Sequence, residues 1–155
     1  MRRHTLTNPV LFALALALPG CASVPISQMN DEYFVIKEIA VDRATPEVAR
    51  SFVERLIFCG PEQGGILSVT HIGHPICRPR EGANKVVCDI YIGYPNPSNI
   101  GQSRGVLGRV DFVDNGNTTT VQMRVRYRDR PDRAGEVFQY WGAMLDGSYA
   151  QICHR

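Results

Sequence analysis

Four side chains that bind soft divalent cations fall close together mid-chain: His71, His74, Cys77 and, further on, Cys88. Imidazole nitrogen and thiolate sulfur are the donors tetrahedral zinc accepts. A disulfide between Cys77 and Cys88 is the competing chemistry, because it removes both thiolates. A second pattern, Gly101-Gln102-Ser103-Arg104-Gly105, matches the G-x-S-x-G of a nucleophile elbow. An elbow needs a strand before it and a helix after it. Here the loop Pro95 to Asn99 precedes the motif and a strand pattern follows, so the glycines read as loop punctuation. Carboxylates are scattered, and neither Asp132 nor Asp146 forms a known hydrolase arrangement with His154. The residues therefore designate no catalytic set and no cofactor, and zinc on His71, His74, Cys77 and Cys88 is the weaker alternative to a disulfide.

Arginine is the remaining chemistry. Arg124, Arg126 and Arg128 alternate, which places them on one face of a strand, with Arg109 diagonally across a hairpin. Such a row can hold an anionic headgroup, a peptide carboxylate or an acidic partner surface. A charged face that simply keeps a sheet soluble explains the same spacing, with Asp111, Asp129 and Asp132 offsetting part of it, and that reading is preferred.

The elements that position these groups follow from periodicity. Tyr33 to Val41 is β-branched and aromatic and reads as a strand covered on both faces. Thr45 and Pro46 start a helix, Thr45 as cap, in which Val48, Ala49, Phe52, Val53 and Leu56 share a face. Residues 66–72 read as a second strand and Lys85 to Tyr94 as a third. The Pro- and Gly-rich residues 73–84 between them read as a connection from which Cys77 folds back on Cys88. Asp114-Asn115-Gly116-Asn117 signals a two-residue turn with Asn115 and Gly116 at its centre. That register sets Phe112 against Thr119, Val110 against Val121 and Gly108 against Met123, with apolar side chains on one face. A last helix runs from Asp132, capped by that residue, with Val137, Phe138, Trp141, Met144 and Leu145 inward.

The fold expected is α+β: an antiparallel sheet of about five strands with two helices on one face, in the order β-α-β-β-β-β-α. That order resembles helix-grip and TBP-like envelope domains, some of which occur in outer-membrane assembly lipoproteins. It is a resemblance of element order alone.

Arg2 and Arg3 precede nine apolar residues, Val10 to Leu18, and then Pro19, Gly20 and Cys21. A positive region, a short apolar core and a small residue form a secretory signal, and nine residues are too few for the roughly 20 that span a bilayer. Leu18-Pro19-Gly20-Cys21 resembles the lipobox of bacterial lipoprotein precursors. The resemblance implies cleavage after Gly20 and a covalent lipid on Cys21, and Ala22, in place of an aspartate, implies the outer membrane of a Gram-negative cell. The expected organisation is signal peptide 1–20, lipidated N-terminus and tether 21–31, and one periplasmic domain 32–155.

With Cys21 assigned to lipid, an even set of cysteines remains in a compartment that permits disulfides. Cys77 with Cys88 and Cys59 with Cys153 is the preferred pairing. The chain has 17 basic and 15 acidic residues, and loss of Arg2 and Arg3 balances the signs. No basic excess remains to draw nucleic acid. The function expected is a non-enzymatic accessory or interaction domain, held to the membrane by its lipid and partnered with an envelope protein. The alternative is a module binding a small apolar ligand or lipid between Tyr33, Phe52, Trp141 and Met144. A metal-dependent or serine hydrolase ranks third.

Overall fold

The computed structural model describes residues 30–59, 73–81, 84–92, 97–98, 100, 105–126, 130–148 and 150. After a 3-10 turn at Asp31–Tyr33 come β1 (Val35–Val41), α1 (Thr45–Phe58), β2 (His74–Pro79), β3 (Lys85–Tyr91), β4 (Val106–Asp114), β5 (Thr119–Val125) and α2 (Pro131–Asp146). All neighbouring strands are antiparallel, in the order β1-β5-β4-β3-β2. Both helices cover the same face of the sheet, so the expected α+β architecture is present.

Periodicity explains the core between these layers. Val48, Phe52 and Leu56 recur at helical spacing on α1, and Val137, Trp141 and Met144 do so on α2. They meet the alternating residues Val110 and Phe112 of β4 and Val121, Met123 and Val125 of β5, all fully buried. Phe52 sits at the centre, edge to face with Phe112 at 5.5 Å and with Trp141 at 6.4 Å. Burying each such side chain stabilises the fold by about 1.5–3 kcal/mol.

Several local expectations need correction. The second strand is His74–Pro79, inside the stretch expected to be a connection; residues 66–72 lie outside those described. Pro75 and Pro79 are accommodated because β2 is an edge strand, where a missing N–H costs little. β1 is not covered on both faces: it forms the opposite edge and has no buried residue. Thr45 does not cap α1, since Ala44 holds that position and the Thr45 hydroxyl is engaged 2.9 Å from that of Thr119. Nor does Asp132 cap α2, which begins one residue earlier at Pro131 behind Arg130.

The β4–β5 register is displaced by two residues from the expected one. Phe112 faces Val121, Val110 faces Met123 and Gly108 faces Val125. Within the turn only Gly116 takes positive φ, 87°, and the Asn115 amide donates to the Thr118 carbonyl at 3.0 Å. The turn is therefore centred on Gly116 and Asn117, with glycine first, as in a type II′ turn. A shift of two preserves the faces, so the apolar pattern could not detect it. A bulge where β3 meets β4 does change faces: Ile90 pairs with Gly108 but Tyr91 with Val106. Leu107 consequently joins the main core, and Val106 packs with Tyr91 and Ile76 in a second cluster.

Candidate functional site

The sheet face away from the helices carries the charged residues. Strand alternation puts Asp89 of β3, Arg109 and Asp111 of β4, and Arg124 of β5 on that face, since Cys88, Val110 and Met123 point to the core. Arg109 and Arg124 are directly opposed rather than diagonal. Two like charges in that position repel, and acids on either side compensate. Asp89, fully buried, accepts from Arg109 Nε at 2.9 Å and from Arg78 of β2. Asp111 Oδ2 accepts from Arg124 at 2.9 Å and from Lys85 at 3.1 Å. Arg124 also reaches Asp31 at 3.1 Å.

The result is two ionic chains across four strands, Arg78–Asp89–Arg109 and Lys85–Asp111–Arg124–Asp31, with Asp89 and Asp111 buried among the cations and Asp31 exposed at one end. Oδ1 of Asp111 is buried and has no hydrogen-bond partner among the described residues, a cost of about 1–3 kcal/mol for a buried acceptor. The arginine row is therefore not a bare cationic surface. Arg126 adds its guanidinium 3.3 Å from the Val106 carbonyl, and Arg128 lies outside the described residues.

The cysteines resolve the choice between metal and bridge in the middle of the chain. Cys77 and Cys88 are direct cross-strand partners and form a disulfide, which withdraws both sulfurs from the alternative zinc set. The link joins paired strands instead of pinning a loop. His74 faces Tyr91 on the neighbouring strand, and burial lowers its pKa; His71 is outside the described residues. No group of three or more His, Cys, Asp or Glu suited to a metal occurs among the described residues. Cys59, at the end of α1, is also disulfide-bonded. Cys77 and Cys88 being joined to each other, its partner lies outside the described residues, as does Cys153.

No protein-family model, curated protein or solved structure matches this chain. Phe52, Trp141 and Met144, expected around an apolar ligand, are fully buried in one core cluster, and Tyr33 is 48% exposed and apart from it. Side chains fill the space between helices and sheet at this point. Ser103 and Cys21 lie outside the described residues, and Gly105 leads directly into β4 as expected. No helix among the described residues is long and apolar enough to cross a membrane.

The ionic chains are hard to read from the sequence because a single acid among apolar neighbours also fits the solvent-facing side of a half-exposed strand. The available signal was Asp89 lying between Cys88 and Ile90, with Arg78 and Arg109 in the two flanking strands. Using it required the β2 assignment, which the prolines disguised.

Proposed function

We propose that the chain is a lipoprotein of the bacterial outer membrane whose folded domain is a non-enzymatic interaction module in the periplasm. The observation that carries this reading is Leu18-Pro19-Gly20-Cys21 behind a nine-residue apolar run. A cross-strand disulfide suits an oxidising compartment. The side-chain core and internally paired charges are the features of a scaffold that presents surface. Several acyl chains on Cys21 would hold the domain stably, where a single chain binds membranes only marginally.

Metabolic labelling with a clickable fatty acid tests the anchor. Wild type labels and fractionates with the outer membrane, and Cys21→Ser loses both properties. Equal labelling of the two proteins defeats the proposal.

A further inference from the structure

Five consecutive residues, Ile39–Arg43, line one cleft of about 470 Å³ between the end of β1 and α2. Side chains alternate between faces along a strand, so Ile39, Ala40 and Val41, the three of these residues within β1, can border a single space only through the strand's edge. The main chain of β1 is thus part of the wall. Opposite stand Gly142, Leu145 and Asp146 of α2, with Arg55 of α1 closing one end and Arg43, just beyond β1, donating to the Leu145 carbonyl at 2.8 Å.

Two further observations bear on the same place. β1 is the outermost strand, with no strand beside it among the described residues, and unlike β2 it contains no proline. A Cβ built on Gly142 would meet nothing within 4 Å among the described residues. Packing among the described residues does not require that glycine, and mid-helix it costs about 1 kcal/mol relative to alanine. Its effect is to leave the cleft open.

We propose that this groove receives an extended segment of another protein, which adds to β1 as a sixth strand and lays alternate side chains between β1 and α2. The inference rests on the interaction-module reading and names its surface. The helix-side positions of β1 read Lys37, Ile39, Val41. Lys37 is exposed and forms no ion pair or hydrogen bond among the described residues. A complementary strand therefore places an acidic residue opposite Lys37 and apolar residues opposite Ile39 and Val41, giving the pattern apolar-x-apolar-x-acidic in one chain direction or the other.

A second copy of this chain is the wrong occupant. In a continuous sheet, a residue can oppose only one on the same face. Lys37 of one copy would then meet Val35, Lys37, Ile39 or Val41 of the other, and Glu38 would meet Ile36, Glu38 or Ala40. No register brings opposite charges face to face.

The probe is a phage library of random linear decapeptides, panned on the full chain purified from its native envelope. The expected selection is apolar-x-apolar-x-acidic. A synthetic peptide of the winning sequence should bind at least about tenfold more weakly to Lys37→Glu and to Gly142→Leu. Arg80→Glu beyond the opposite edge should leave binding unchanged. Panning on Lys37→Glu should replace the acidic position with lysine or arginine. Gly142→Leu raises helix propensity, so its loss of binding is not a loss of folding.

An absent pattern, binding indifferent to both variants, or a solution dimer broken by Lys37→Glu overturns the proposal, the last in favour of a second copy. Intact fatty-acid labelling with no selected pattern removes the groove and leaves the anchored-module reading standing. Selection of the pattern with no labelling does the reverse.

Discussion

Replacing Asp89 with alanine should destabilise the domain by about 2–3 kcal/mol. Asp89 is fully buried and balances Arg109 and Arg78. Removing one member of a buried pair typically costs about 3–5 kcal/mol, because the remaining charge is left uncompensated. Here the stranded partners have some access to water, with side chains 21% exposed for Arg109 and 53% for Arg78, so solvent relieves part of the penalty. Against that relief, Arg109 would directly face Arg124 without the acid that offsets it. With a urea m-value near 1.5 kcal/mol/M, the expected drop in midpoint is about 1–2 M. Arg109→Ala in the Asp89→Ala background should restore about 1 kcal/mol or more, as removal of both partners is less costly than removal of one. Single-variant losses below about 0.5 kcal/mol with no coupling in the cycle would refute the argument, and would mean that water screens this chain like any surface ion pair.

Removing the bridge with Cys77→Ser and Cys88→Ala should cost up to about 3 kcal/mol in the chain-entropy model, and amide exchange should accelerate first in β2, an edge strand held by β3 alone; uniform acceleration across the sheet contradicts this. Gly108→Ala should lower the urea midpoint more than Gly116→Ala. A Cβ on Gly108 would lie 2.0 Å from the Arg124 carbonyl oxygen, whereas at Gly116 only the positive φ opposes it, at about 1 kcal/mol. Phe52→Ala should cost about 3–5 kcal/mol by denaturant titration. For His74, burial lowers the folded pKa below the ordinary 6.5. The unfolded state therefore takes up a proton first as pH falls through 6.5. Stability contributed by neutral His74 is complete above that value and declines below it until the folded pKa is reached. His74→Gln should flatten this part of the pH profile, and an unchanged slope contradicts the assignment.

The elements legible in the sequence were those whose pattern had one physical cause. Val48, Phe52 and Leu56 recur at helical spacing because one face meets the sheet. Val110, Phe112, Val121 and Met123 alternate for the same reason, and Cys77 with Cys88 followed from cysteine number and proximity. Misreadings arose where a second cause competed. Pro75 and Pro79 suggested a connection, but an edge strand has amides pointing away from its only neighbour, so prolines fit. Asn115-Gly116 suggested the turn centre, whereas the chain uses Gly116 first in the turn and moves every pair by two without changing a face. Thr45 had the chemistry of a cap and spends its hydroxyl on Thr119 instead. The paired acids of the open face and the groove beside β1 were invisible for another reason: both depend on which strands are neighbours, and local pattern carries little about neighbours.

Strand order also separates the two edges of this sheet. β2 lacks donors at its prolines and is fastened to β3 by a disulfide, so a new strand meets an interrupted edge held in place. β1 has neither device, and among the described residues its remaining protection is the adjacent charges of Lys37 and Glu38. A charge repels strands indiscriminately only when no complement is offered; opposite an acidic residue, Lys37 becomes a selector. Protection and recognition therefore make the same prediction for a lysine-to-neutral change in the unbound protein, which is a greater tendency to self-associate. They differ when the sign is reversed. A mere guard works as well with glutamate as with lysine, whereas a selector exchanges its acidic partners for basic ones.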